Sequence, residues 1–171
     1  DMHTGKISAV EEGDYSDLME TFPCWSPCGT WLYYVAKKQD KGSYDLRNTK
    51  FDLVKRHFNA ATGCFGKPET VLPAGGTGKS VTMPAISPDG RYLIFTMLDY
   101  GTFSIWHKES DLFLLDLKTN IISKMDLNSD ESESHHAWSS NGRWIVFSSK
   151  RGDGLTARPF LAYFSADGRT G

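Results

Sequence analysis

Phe22-Pro23-Cys24-Trp25-Ser26-Pro27-Cys28-Gly29 returns as Met83-Pro84-Ala85-Ile86-Ser87-Pro88-Asp89-Gly90 and again as His135-His136-Ala137-Trp138-Ser139-Ser140-Asn141-Gly142. The anchoring serines, Ser26, Ser87 and Ser139, recur at intervals of 61 and 52 residues. One turn signature repeated at such a period means stacked, equivalent supersecondary units, and common propeller blades run to about 40–50 residues. The excess length reads as loop insertions. A second marker, Thr62-Gly63, Thr119-Asn120 and Thr170-Gly171, closes three similar segments, and Thr4-Gly5 opens the chain in the same way. These markers divide the chain into units of 1–61, 62–118 and 119–171.

Behind each turn stands an apolar run: Trp31-Leu32-Tyr33-Tyr34-Val35-Ala36, Tyr92-Leu93-Ile94-Phe95-Thr96 and Trp144-Ile145-Val146-Phe147-Ser148. Aromatic and β-branched residues favour strands. A half-exposed strand should alternate with period two, so a run that is apolar throughout predicts a sheet covered on both faces. Each unit therefore reads as an innermost strand ending in Trp25, Ile86 or Trp138, a second strand in the apolar run, and a third at 51–58, 112–115 or 160–164. An outer, more polar strand follows each marker, at 6–10, 67–72 and 121–127. Trp25, Ile86 and Trp138 are expected at equivalent buried positions between units. Helix signals are sparse, with room for one helical turn at 11–20.

The expectation is an all-β chain: three four-stranded blade-equivalents of a β-propeller. Closed propellers have about four to eight blades, so three belong to a larger ring of six to eight. With no leader before Asp1, and with both ends falling inside repeats, the chain reads as a piece of a longer protein. Either further blades of that parent or a second copy exchanging edge strands would complete the ring.

Composition is that of an ordinary globular protein, 39% hydrophobic and 23% charged. A net charge of −2 offers no basic field, so nucleic acid is not an expected partner. No run of about 18 apolar residues exists to span a membrane. Cys24, Cys28 and Cys64 lack metal-ligand spacing and read as buried free thiols, with a strained Cys24–Cys28 disulfide as the lesser alternative.

These residues resemble the TolB-like family of β-propeller repeats, whose signature is a Pro-x-Trp-Ser-Pro-Asp-Gly turn followed by an apolar strand and Ser-x-Arg. The likeness is best over residues 83–95, good over 22–34 and recognisable over 135–151, where Ser149-Lys150-Arg151 carries the distal part. Cys28 replaces the aspartate, Ser140-Asn141 replaces Pro-Asp, and His136 stands where the other copies have proline. The resemblance implies roles as varied as periplasmic scaffolds for partner proteins, propellers gating peptidases, and a pectate-fragment lyase with a channel metal. A periplasmic or envelope location is likewise implied by resemblance alone.

In a propeller the Ser-Pro-Asp-Gly turns occupy one end, and the loops 37–50, 97–110 and 150–158 gather at the other. Loops on a rigid frame are where binding usually resides. Binding residues are accordingly expected among Tyr100, Phe103, Trp106 and His107, which offer a stacking platform or pack over their own blade, together with His135, His136 and Arg151. Adjacent histidines on a strand face opposite ways, so His135 and His136 do not chelate one ion. No metal and no cofactor are expected. Gly75-Gly76-Thr77-Gly78-Lys79-Ser80 imitates a phosphate loop, but Pro73 takes the place of its first glycine and no helix follows; it reads as a flexible loop. No nucleophile elbow and no placed Cys–His pair is present, so no catalytic residue is expected. The leading reading is a non-enzymatic binding propeller for a protein partner. A channel enzyme acting on carbohydrate or peptide, with His136 as ligand or base, and an accessory domain of a hydrolase are the alternatives.

Overall fold

The turn signature builds itself from side chains. In the computed structural model, which describes Gly5 and residues 17–39 and 45–171, the Tyr92 N–H donates to Ser87 Oγ at 2.9 Å and Ser87 Oγ donates to Asp89 Oδ1 at 2.5 Å. Gly90 takes a φ of 74°, the left-handed region that glycine enters at no steric cost. Ser139, Asn141 and Gly142 repeat the arrangement. In the first copy the Cys28 thiol stands in for the carboxylate, 3.2 Å from Ser26 Oγ and 2.9 Å from Thr30 Oγ1.

Each turn joins two strands of one antiparallel sheet. The first sheet has the order β1 (Leu18–Trp25), β2 (Trp31–Lys38), β3 (Asp52–Asn59), with β4 (Cys64–Phe65) and β5 (Glu69–Leu72) both pairing β3. The second runs β6 (Ser80–Ile86), β7 (Tyr92–Leu98), β8 (Asp111–Asp116), β9 (Ile121–Lys124). The third comprises β10 (Glu133–Trp138), β11 (Trp144–Ser149) and β12 (Arg158–Tyr163). The outer strands β5 and β9 bond to the third strand before them, so the sheets span 18–72, 80–124 and 133–163, whereas the marker periods put those strands at the head of the next unit. The outer strand expected at 6–10 lies outside the described residues, as does most of 11–20, of which Leu18–Glu20 are strand.

Sheet stacking explains the uninterrupted apolar runs. Tyr33, Val35, Phe51 and Leu53 of the first sheet pack on Leu93, Phe95 and Met97 of the second. Tyr92, Ile94, Leu112 and Leu114, from the opposite face of the second sheet, pack on Ile145, Phe147 and Ala162 of the third. Every residue of β7 is buried, and each of its Leu, Ile, Phe and Met side chains removed from water contributes about 1.5–3 kcal/mol. β11 alternates instead: Ile145 and Phe147 are buried while Trp144 and Val146 are exposed. Repeat alignment places Trp144 and Val146 at the positions of Trp31 and Tyr33, and of Tyr92 and Ile94, which face the next sheet. With Leu161 and Tyr163 opposite them in register, they form an apolar sheet face ready for a further blade.

Three expectations need correction. Trp25 is 48% exposed, not buried. Its counterpart Trp138 reaches back to the preceding sheet, donating from Nε1 to Ala85 O at 3.0 Å; before β1 the described residues offer no such sheet, and Trp25 rests on Phe58 and Phe65 of its own. Residues 75–78 are not a free loop: Ala74–Thr77 form one helical turn (α1), Ala74 is buried and its N–H donates to Asp52 Oδ1. The cysteines are free, but Cys28 is exposed and Cys24 and Cys64 are only partly buried.

Each innermost strand also carries a bulge that no turn residue announces. The register slips between Thr21 and Cys24, Thr82 and Ala85, and Ser134 and Ala137. At these slips Phe22, Met83 and His135 have φ of 52°, 53° and 45°. Left-handed backbone at a non-glycine residue costs on the order of 1–2 kcal/mol, so its recurrence in three sheets marks a built feature that re-aims one side chain per strand.

Candidate functional site

The loops that join second to third strands come together at the end opposite the turns, and buried hydroxyls fix the second of them there. Ser80 Oγ donates to Gly101 O at 2.6 Å and Thr82 Oγ1 to Thr102 O at 2.9 Å. Ser104 Oγ and Ser134 Oγ lie 2.6 Å apart, and Ser110 Oγ donates to Ser104 O at 2.8 Å. Gly101 N–H donates to Thr49 O at 2.7 Å, tying the loop of the second sheet to that of the first. All five hydroxyl side chains are buried. A hydroxyl removed from water must find such a partner, and these bonds hold the 97–110 insertion as a rigid element.

From that support each of the three loops presents large apolar side chains to solvent: Leu46 (52% exposed), Phe103 (67%) with Trp106 (79%), and Leu155 (82%). Lys150 Nζ lies 5.0 Å from the Trp106 ring centre, a cation–π contact across two loops. Below Leu46 and Phe103 a cleft of about 380 Å³ opens between the first two sheets, walled by Met19, Phe22, Phe51 and Thr102. Phe22 reaches this cleft from the bulge of β1.

The residues singled out by sequence divide into two groups. Phe103 and Trp106 stand on the rim. Tyr100 and His107 pack edge to face at 4.5 Å, and His107 Nδ1 bonds Glu109 Oε1 at 2.8 Å, so this pair buttresses the same loop. His135 is exposed at the bulge of β10, with Nδ1 2.9 Å from Ser134 Oγ. His136, by contrast, is buried: Nε2–H donates to Ile94 O at 3.2 Å, Nδ1 faces Thr96 Oγ1 at 3.5 Å, and burial pushes its pKa down to about 4. Arg151 stays partly exposed but reaches inward with its guanidinium. It bonds Glu133, a fully buried carboxylate that also accepts from Ser129 and Ser149, and its guanidinium lies over Phe147 and Phe160.

Sequence reasoning passed over the serine and threonine supports, because a lone hydroxyl in a strand carries no pattern. It also passed over Leu46, Leu155 and Phe22. The Asp99 N–H donates to Glu109 Oε1 at 3.3 Å, while the Asp99 carboxylate pairs with Lys79. Among the described residues no group of three or more His, Cys, Asp or Glu side chains is placed to hold a metal ion, and no helix is long and apolar enough to cross a membrane.

No family model and no curated protein matches this chain. Solved structures do, and propeller proteins are among them. The β-propeller domain of the Trilobed protease from Pyrococcus furiosus aligns over 91% of this chain and 41% of its own at 18% identity, with a TM-score of 0.51. An oligogalacturonate lyase in complex with manganese aligns over 98% of this chain and 44% of its own, at 14% identity and a TM-score of 0.65. Prolyl oligopeptidase B from Galerina marginata, bound to a 35mer substrate, aligns over 89% of this chain and 21% of its own at 10% identity, with a TM-score of 0.54. The chain thus spans less than half the length of each of these three. At these identities the likeness shows the fold: an all-β chain that is part of a larger propeller.

Proposed function

We propose that this chain is a non-catalytic part of a propeller that grips a protein partner through its long-loop face, in a longer protein of the TolB-like kind. The observation that carries this reading is the set Leu46, Phe103, Trp106 and Leu155, one or two exposed apolar side chains on each of three loops, the second of which buried hydroxyls hold in place. Fixed apolar and aromatic side chains beside an apolar cleft are the usual anchors of a protein interface. The resemblance of the repeats adds an envelope location to the same proposal.

A second reading has its own support. Propellers of this shape occur in a protease and in prolyl oligopeptidase B, so the partner gripped by this face would be a catalytic domain of the same polypeptide. Both readings give Phe103 and Trp106 the same task. The test is partner retention by the full-length protein carrying Phe103→Ser with Trp106→Ser, against Ile121→Ser on the outer strand as control. Loss with the loop pair alone supports the reading; equal retention by all three proteins removes it. Limited proteolysis that releases a separate catalytic domain only from the loop variant would favour the second form.

A further inference from the structure

At the opposite end of the molecule, between the turns of the second and third sheets, lies a polar cavity of about 210 Å³ that the long-loop reading does not use. Ser87 and Asp89 line it from one turn, Asn141 and Arg143 from the next, and Tyr92 and Ser165 complete the wall. We propose that this cavity binds a neutral, hydroxyl-bearing ligand, a single sugar or polyol unit.

Tyr92 provides the first reason. It is only 3% exposed, yet its hydroxyl makes no hydrogen bond to any described residue. A buried hydroxyl without a partner is unfavourable and in a native protein calls for an explanation. The ring cannot turn away to find one: Phe164 stands edge-on at 5.2 Å, the Arg91 guanidinium lies 4.7 Å above it, and the Gly168 backbone is so close that a Cβ there would fall 2.9 Å from the hydroxyl oxygen.

The free valences around the cavity give the second. Asp89 Oδ1 is occupied by Ser87 Oγ–H and the Arg91 N–H, which leaves Oδ2 as an acceptor. Asn141 Oδ1 is occupied by Ser139 Oγ–H and the Arg143 N–H, which leaves its amide NH₂ as a donor. The Arg143 guanidinium has no hydrogen bond or ion pair with a described residue. One anionic acceptor and two donors, on exposed side chains, thus stand at the cavity's mouth, with the buried Tyr92 hydroxyl in its wall. An anionic ligand would meet Asp89 and a cationic one Arg143. Hydroxyl groups donate and accept at once, so a neutral polyhydroxylated unit satisfies the whole set. The junction of the first two sheets has no such set, because Cys28 and Trp31 replace Asp89 and Tyr92 there.

Saturation-transfer NMR on the full-length protein tests this with the methyl glycosides of glucose, galactose and mannose and with glycerol. Probes at about 10 mM suit a millimolar site. Transfer to at least one probe is expected, reduced about threefold or more by Tyr92→Phe, which removes only the hydroxyl, and abolished by Asn141→Ala with Arg143→Ala. Circular dichroism and the thermal midpoint establish that each variant is folded. No transfer to any probe would overturn the proposal and leave the cavity to water. Transfer that survives all three substitutions would overturn it equally, by placing the sugar elsewhere.

Discussion

Trp138 donates its indole N–H to the carbonyl of Ala85 at 3.0 Å and sets its ring edge-on to Phe164 at 4.7 Å, so one side chain binds the third sheet to the second. Replacing it tests the stacking directly. Trp138→Phe retains the ring and removes the bond, at a cost of about 1 kcal/mol. Trp138→Ala removes both, and about 3 kcal/mol follows from truncating a partly buried aromatic. Trp25→Ala, at the equivalent but exposed position, should cost distinctly less. Urea denaturation of the three variants gives the order, and an equal loss at Trp25 and Trp138 would contradict the repeat register.

His136 makes the fold sensitive to acid. Burial lowers its folded pKa to about 4 from the ordinary 6.5, so the unfolded chain binds the additional proton between those values. Stability from this group is fully present above pH 6.5 and is lost as the pH falls through about 4. His136→Pro, which places there the residue of the other two repeats, should flatten the dependence. Denaturation midpoints at about pH 7 and about pH 5, on either side of the ordinary histidine value, measure it for both proteins. Parallel slopes would assign the acid sensitivity to other groups.

Cys28 should be the reactive thiol. Hydrogen bonds from Ser26 and then Thr30 bring its pKa down to about 7, whereas burial raises that of Cys24. The thiolate is the nucleophile, so iodoacetamide at neutral pH should modify Cys28 before Cys24, as peptide mass spectrometry can follow. Cys28→Asp, which restores the turn chemistry of Asp89, should leave the fold intact. Alkylation of Cys24 first would show that the turn is formed differently.

Strand order and turns were legible because period and turn chemistry are local. Ser87, Asp89 and Gly90 bond one another within four residues, and a turn so closed reads straight from its spelling. The apolar run of β7 correctly told of a sheet covered on both sides, since Ile94 and Phe95 face different neighbours, whereas the run of β11 leaves one face exposed. What depends on a neighbour was not legible. Trp25 and Trp138 share one signature, yet their exposure differs because, among the described residues, a sheet precedes only Trp138. His135 and His136 differ through a bulge in β10 that moves the backbone to positive φ, and no residue type there requires it. The Ser104–Ser134 support joins residues 30 apart in sequence, beyond the reach of any local pattern.

If these three sheets belong to a larger ring, the open face of the third sheet must be covered in the whole protein. A crystal structure of the full-length protein is the decisive measurement. Trp144, Val146, Leu161 and Tyr163 should lie buried under a further four-stranded sheet, with a strand paired along the edge of β12 that, among the described residues, only Gly171 now bonds, at Tyr163. The same face left in solvent, with β12 still at an edge, would refute the larger ring.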